Sequence, residues 1–374
     1  MLTEISTEPS IRVGLITRGH PLLSSEGELT RVRNLLIGDG FHWMQVVDAL
    51  FEGTVSPLAA PAGNIHAINT LPLESYLKSV TGSEMNPDAP MEFLKAHAVI
   101  SRSWAITKIL HSGKDSDAGK VNEPERIVNW EDAGSHTGFD VCSDDHCQRY
   151  QGIPAGNARR AMEAVDATRG MVLTDPDGKV ADARFSKCCG GMTEIFSSCW
   201  GDEDIPYLTS HPDPYCALSK MNEDERECFL SSSLKGYDRE PADPMHWQSE
   251  ITFEEIADNL QKKFGRNIGR IREVTAATRS KAGRIVELRL IGEKGEMTVG
   301  KELMVRRLLS ATHLYSSMID LTPVAGGLRI AGRGWGHGVG LCQIGAARMA
   351  LDGHDFRNIL EFYYPTAKLT ELYD

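Results

Sequence analysis

Between positions 332 and 340 glycine stands at every second residue, in Gly332-Arg333-Gly334-Trp335-Gly336-His337-Gly338-Val339-Gly340. Few backbones accommodate such a run. In an extended chain the side chains alternate between faces, so the pattern strips one face bare and leaves Arg333, Trp335, His337 and Val339 on the other. A bare face costs conformational entropy, and it predicts that a second backbone or a flat ligand lies against it. Trp335 and His337 on the opposite face form an aromatic wall of the kind on which sugar rings lie. The spacing does not match G-x-G-x-x-G, which excludes a dinucleotide fingerprint. Close packing of a strand on a core, with no ligand, is the competing reading.

The chain around this run has ordinary globular composition. Of 374 residues, 41% are apolar and 25% charged, enough for two to three domains with sizeable cores. No stretch approaches the roughly 18–20 apolar residues of a membrane span. The opening MLTEISTEPS carries two glutamates and no apolar run, so no secretory leader is visible. The formal net charge of −12 repels polyanions, which argues against nucleic acid or an acidic membrane surface as the main partner. Eight cysteines are too few for a disulfide scaffold, yet six fall between Cys142 and Cys216. That clustering points to metal or to one or two bridges.

The order of elements predicts an α+β fold. Ile11–Ile16 is β-prone, and further strands follow to about residue 70. Leu73, Tyr76, Leu77 and Val80 then set the i, i+3, i+4, i+7 stripe of an amphipathic helix, which Gly82 is expected to stop. Asp88 and Pro90 announce a second helix from about Met91 to Leu110. Residues 112–157 read as a long polar loop, and a loop of that length suggests function. A helix over 158–168 and strands at Met171–Thr174 and Asp182–Ser186 come next. Residues 212–250 read as a linker or insertion, followed by a helix near Phe253–Phe264. Val286, Leu288 and Leu290 alternate as in a half-buried antiparallel strand. Leu341–Met349 reads as helix, ended by Gly353. We therefore expect a second unit of helix and antiparallel strands to follow the first. Residues 1–211 with 327–374 would form one lobe and 212–326 the second lobe or insertion.

Four places could carry chemistry. In Ser83-Glu84-Met85-Asn86-Pro87 a carboxyl lies between two apolar helices, where desolvation would let it hold a proton as a general acid. An idle loop glutamate looks the same. On the next helix Lys95 and Arg102 are seven apart, on one stripe, and could bind carboxylates or orient hydroxyls; a solvated face is the alternative. Ser186 and Lys187 stand at a strand end before the Gly190-Gly191 pair, which is equally compatible with a plain hairpin turn. Finally His136, Cys142, His146 and Cys147 lie within twelve residues and could complete a tetrahedral zinc shell. A Cys142–Cys147 disulfide, or free thiols, would use the same residues.

Taken in order these segments resemble a known family. Ser83-Glu84-Met85, then Leu94-Lys95-Ala96-His97-Ala98-Val99 and Ser101-Arg102-Ser103-Trp104-Ala105, come first. Phe185-Ser186-Lys187 with Gly190-Gly191, and Trp200-Gly201, follow. Gly334 through Gln343 and Tyr364-Pro365 complete the set. Together they resemble the stage II sporulation protein D family, also known as the amidase-enhancer (LytB-type) domain, from about Ile11 to Leu372. The resemblance implies two lobes of antiparallel strands and helices around a central glycan-binding cleft, and a peptidoglycan lytic transglycosylase acting on glycan strands stripped of their stem peptides. It implies Glu84 as the catalytic acid and base, with Lys95 and Arg102 in support. Ser186, Lys187, Arg333, Trp335, His337 and Gln343 would bind substrate. It also implies a zinc ion on His136, Cys142, His146 and Cys147, a place in the cell envelope, and a cell-wall amidase as a possible partner. A glycan-binding enhancer without activity, or an interaction protein that keeps only the fold, are the alternatives. The chain departs from the family pattern at His97, where glutamine is common, and at Lys187-Cys188-Cys189 and Cys342, where serine or threonine is common. One carboxyl stands out where glycoside hydrolysis ordinarily uses two, which favours a reaction that needs only one.

Overall fold

The computed structural model describes residues 5–39, 44–111, 121–128, 136, 138–154, 158–218, 221–234 and 243–374, with only the backbone at 59–62. The fold is α+β, as expected. The chain begins with β1 (Ser10–Ile16), β2 (Leu23–Glu26), β3 (Leu29–Ile37), β4 (Gln45–Phe51), β5 (Thr54–Ala62) and β6 (Ile65–Pro72). Strands β2, β3 and β4 form an antiparallel meander, while β5, β6 and β1 form a second antiparallel sheet. Ile11, Val13 and Leu15 alternate into the core from β1 and are fully buried.

Two helices follow, α1 (Leu73–Glu84) and α2 (Met91–His111). The expected stripe of Leu73, Tyr76, Leu77 and Val80 is fully buried. Gly82, however, does not end the first helix; α1 runs two residues further, to Glu84. The glycine serves close approach instead, because a Cβ there would lie 2.6 Å from Cγ of Pro154. Helix α2 is buried on nearly every side between two hydrophobic clusters. That surround puts polar groups such as Ser103 inside, where its hydroxyl donates to the Val99 carbonyl and accepts from the Leu173 N–H.

Within the expected 112–157 loop, the described residues form short strands β7 (Val121–Asn122), β8 (Arg126–Val128) and β9 (Val141–Cys142), the last pairing parallel with β1. The remainder of that loop lies outside the described residues. Next come α3 (Arg159–Ala167), β10 (Met171–Thr174) and the two-residue β11 (Phe185–Ser186), shorter than the expected 182–186. Helix α4 (Glu223–Ser233) then stands where a linker is expected. Its signal is an Asn222-x-x-Glu225 capping box, in which each side chain accepts from the other residue's backbone N–H.

A third buried cluster unites β12 (Trp247–Thr252), α5 (Phe253–Phe264), the antiparallel β13 (Ile271–Arg279), β14 (Ile285–Gly292) and β15 (Glu296–Gly300), α6 (Glu302–Leu308), and the hairpin β16 (Ile319–Val324) and β17 (Gly327–Gly332). Helix α5 has the predicted bounds, capped by Thr252 with Glu255 and closed by Gly265 at φ +67°. This cluster also draws on strands from outside the expected 212–326 segment. Strand β12 pairs with β17, which lies beyond residue 326, and β15 pairs with β8, near residue 127. Phe229, Leu230 and Leu234, at and just after the end of α4, meanwhile pack with the α2 cluster. The chain closes with β18 (Leu341–Cys342), α7 (Gln343–Leu351), α8 (Phe356–Tyr363) and β19 (Lys368–Glu371), which pairs with β10. Leu341 and Cys342 are thus strand rather than the start of the expected helix.

Candidate active site

A cavity of about 360 Å³ lies where these clusters meet. Its lining includes Glu84, Ser186, Lys187, Trp335, His337 and Gln343, six residues drawn from segments far apart in sequence. Strand pairing brings two of those segments together: β11 runs parallel to β18, with Phe185 opposite Leu341 and Ser186 opposite Cys342. The turn after β11 is then fastened by paired bonds between Cys188 and Trp335 (2.9 and 2.8 Å), and by Gly338 N–H to Ser186 Oγ (3.1 Å).

The glycine-spaced run takes a different path from the extended strand the sequence predicts. Gly334, Gly336, Gly338 and Gly340 all have left-handed φ, between +70° and +93°. A β-carbon is disfavoured at such φ, and here there is also no room for one. At Gly340 it would sit 2.0 Å from the Arg184 carbonyl oxygen, and at Gly338 2.3 Å from Nη2 of Arg284. Arg284 is fully buried in the turn between β13 and β14 and donates to the carbonyls of Gly336 (3.2 Å) and Cys189 (2.8 Å). Its Nε lies 3.9 Å from Glu194, whose carboxyl is pushed up by burial against the opposing effect of Ser280. The places of the missing side chains are therefore taken by backbone, by the Arg284 guanidinium, by the Trp247 ring at Gly332 and by the Ser186 β-carbon at Gly336.

Glu84 is the last residue of α1, rather than a loop residue, and is buried in the cavity wall. Its Oε1 accepts from the backbone N–H of Arg149 at 2.9 Å, and its Oε2 lies 3.9 Å from the same residue's guanidinium. Arg149 is in turn held by Asp145 at 2.5 Å. No sequence motif marks Arg149. Other acids line the cavity but have structural partners: Asp144 accepts from the N–H groups of Gly38 and Asp39, and Glu302 lies 3.5 Å from Arg306.

Across the cavity Gln343 is positioned by His97. The two Nε2 atoms are 3.0 Å apart; an amide nitrogen only donates, so His97 accepts there and its Nδ1 proton faces Ser101 Oγ at 3.2 Å. Burial, with the charge of Lys187 adding to it, pushes the His97 pKa down to about 3, which keeps the ring neutral. The departure from the family pattern at position 97 is thus compatible with a hydrogen-bonded Gln343. His337 is neutral for the same first reason, burial, with Arg184 adding to it; its Nδ1 accepts from Val339 N–H and its ring meets Trp200 edge-on. Trp200 also carries the Arg184 guanidinium 4.2 Å from its ring centre.

Three expected binding residues are placed elsewhere. Arg102 is fully buried and grips Glu74 through two hydrogen bonds of 2.8 and 2.7 Å, with Tyr373 donating to the same carboxylate. An arginine with no exposed surface, already satisfied by a carboxylate, has nothing to offer a ligand. Lys95 pairs with Glu92 at 2.6 Å and lies over Phe356. Arg333 points its Nε at Met318. None of the three lines the cavity. Arg184, Arg306 and His313 do line it, and no motif singles them out.

The metal-type residues come together beside Glu84. All four donor atoms of His136, Cys142, His146 and Cys147 lie within 4.8 Å of one another. Cys147 Sγ is 3.5 Å from His136 Nε2 and from His146 Nδ1, and Cys142 Sγ is 3.8 Å from His146 Nδ1. Bond lengths of about 2.3 Å to sulfur and about 2.0 Å to nitrogen put tetrahedral ligands roughly 3.3–3.8 Å apart, so this donor set fits zinc. Both cysteines are free thiols, not a bridge. His146 and Cys147 also line the cavity.

The fold and cavity define an α+β protein in which the buried Glu84 carboxylate shares a cavity with polar and aromatic side chains. The comparisons agree on its kind. Residues 62–174 match the family described as Stage II sporulation protein, and residues 194–340 match a domain of unknown function (DUF8618). The chain is 25% identical to Stage II sporulation protein D of Bacillus amyloliquefaciens, over 84% of this chain and 80% of that one. It is 25% identical to the Amidase enhancer of Bacillus subtilis, over 79% of this chain and 40% of that one. An uncharacterized protein of Brachyspira hyodysenteriae is 29% identical over 79% of the chain, which spans 66% of that relative's length. Over most of its length the chain is thus similar to stage II sporulation protein D and amidase-enhancer proteins, and residues 62–174 carry the domain they are named for.

Proposed function

We propose that the chain is a lytic transglycosylase of peptidoglycan, cleaving between N-acetylmuramic acid and N-acetylglucosamine in strands stripped of peptides. The observation that carries this is Glu84, a carboxylate fixed by the Arg149 N–H in a cavity it shares with Ser186, Lys187 and Gln343. Glu84 protonates the glycosidic oxygen as the bond to C1 breaks. As carboxylate it then takes the proton of the C6 hydroxyl, whose oxygen attacks C1 of the same ring to leave a 1,6-anhydro end. The nucleophile is intramolecular, so no second carboxylate and no water are required. Lys187 offsets the muramyl carboxylate, Gln343 and Ser186 hold hydroxyls, and Trp335 and Trp200 offer apolar faces to the sugar rings.

Zinc on His136, Cys142, His146 and Cys147 would be a closed structural clip, with four protein ligands and no open position. The clip would fix the segment from which Arg149 reaches Glu84. Among the described residues no helix is long and apolar enough to cross a membrane, and the substrate places the protein's work in the cell envelope.

The test is digestion of denuded glycan strands followed by mass spectrometry. Anhydro-muramyl ends are expected, and Glu84→Gln should reduce them at least about a hundredfold, as loss of a general acid does. Reducing ends would instead reveal hydrolysis and a second carboxylate. The likeness to the amidase enhancer favours one other reading, a glycan-binding stimulator. That reading predicts strand binding without product, unchanged by Glu84→Gln.

A further inference from the structure

A second cluster of donors lies in the core, away from the quartet beside Glu84. We propose that Cys189, Cys216, Cys342 and Asp213 bind a zinc ion that braces the part of the cavity wall formed by Ser186, Lys187 and Gln343. All four residues are buried, Asp213 with 1% exposed surface, and their ligand atoms lie within 4.8 Å of one another. Cys189 Sγ is 3.4 Å from Cys216 Sγ and 3.2 Å from Asp213 Oδ2. These are close to the edges of a tetrahedral zinc shell, roughly 3.3–3.8 Å.

The surroundings are arranged for anions. Backbone N–H groups point at two of the sulfurs: Gly191 at Cys216 (3.2 Å), and Cys189 and Gly345 at Cys342 (3.3 and 3.4 Å). Asp213 Oδ1 is pinned by the N–H groups of Tyr215 and Cys216, which leaves Oδ2 turned toward the thiols, where Tyr363 also donates to it. Small buried cysteines are ordinary core residues, but an aspartate buried among them is not. Among the described residues only neutral donors reach Asp213 and no basic side chain pairs with it, so a cation bound by the thiols would offset its charge. Gly345 makes room for this carboxylate, since a Cβ there would lie 2.5 Å from Oδ2. Three thiolates, one carboxylate and Zn²⁺ leave the same net charge as a four-cysteine zinc site, and the N–H donors offset it.

The ligands come from the turn after β11, the loop before α4 and the end of β18, where Cys342 caps α7. An ion here would join the segments that carry Ser186, Lys187 and Gln343. The proposal does not depend on what the cavity does to a glycan.

The experiment is elemental analysis of the full-length chain purified without chelator, read with Co²⁺ substitution. About two zinc ions per chain are expected if both clusters fill. Cys216→Ser and Cys342→Ser should each lose about one, Cys147→Ser should lose the other, and Cys228→Ser, at an exposed thiol, should lose none. Retention of about one zinc in Cys147→Ser, lost in Cys147→Ser/Cys216→Ser, supports this site alone. Should the serine variants misfold, the unaltered protein still decides. The Co²⁺ form must show thiolate charge transfer stronger than two sulfurs supply, and the thiols must resist alkylation until the metal is removed. A parent protein with one zinc that disappears entirely in Cys147→Ser, one with no zinc, or one with a Cys189–Cys216 disulfide in peptide mapping overturns the proposal.

Discussion

At the scale of single residues, Arg102 shows how a cation expected in a binding role can instead be structural. It sits on a helix buried on nearly every side, and its guanidinium is consumed by Glu74, Tyr373's partner, and by the carbonyl of Met171. Burial opposes the Glu74 charge, but the Arg102 bonds outweigh it and hold the carboxyl below its usual range. Arg102→Met therefore strands a buried carboxylate, and we expect a loss of about 3–5 kcal/mol in urea denaturation. The double change Glu74→Leu/Arg102→Leu should recover most of that loss. Unchanged stability with weakened glycan binding would restore the binding role. The pair was illegible in sequence because its members are 28 positions apart on different helices, and spacing along one helix says nothing about the neighbouring one. Glu84 was easier to find, since its motif flags it. The Arg149 N–H that fixes it was invisible, because any residue can supply a backbone donor.

At the scale of elements, local chemistry made some segments readable and left others hidden. Helix α5 declares itself through a threonine–glutamate capping box and a terminal glycine; α4 has an equivalent box but little apolar periodicity, so its sequence resembles a linker. The glycine run was recognised as a bare surface, but alternation alone does not distinguish an extended strand from a path with left-handed φ at each glycine. Only the tertiary partner decides. Gly338→Ala tests this partner directly. The new methyl would meet Arg284 and adopt an unfavourable φ, whereas Gly353, at φ +93°, has nothing within 4 Å of its Cβ position. Gly353→Ala should cost about 1–2 kcal/mol from backbone strain alone. Gly338→Ala should cost clearly more in the same denaturation assay, because Arg284 must also move. Equal costs would show that the guanidinium is not what the glycine accommodates.

At the scale of the whole molecule, buried neutral histidines make folding sensitive to acid. His97 and His313 are both pushed down to about 3, in each case first by burial. Their ordinary value is 6.5, so between about pH 6.5 and 3 the unfolded chain binds protons that the folded chain does not. Stability must fall as pH falls through that window, with a slope approaching about 1.4 kcal/mol per pH unit for each ring. Buried acids whose pKa is raised, such as Glu194, act in the opposite sense, so the difference between parent and variant isolates the effect. His97→Gln should flatten the acid limb of the stability profile by about one proton, measured by urea midpoints at several pH values; an unchanged slope would mean that His97 is protonated in the folded state. The α+β class, the bounds of α5 and the cavity-lining segments around Glu84, Ser186 and Trp335–Gln343 are legible in sequence; those that bring Arg149, Arg306 and His313 are not. The pairings of β12 with β17 and of β15 with β8 are not legible either, because composition does not mark which distant strands meet.

The reach of Arg284 into the glycine run has a consequence for anyone who would take this protein apart. A fragment lacking residues 247–332 keeps Glu84, Ser186 and Gln343, but loses the side chain around which the backbone at 336–338 is wrapped. Transplanting either portion onto another scaffold should therefore yield a floppy aperture, because neither is self-sufficient.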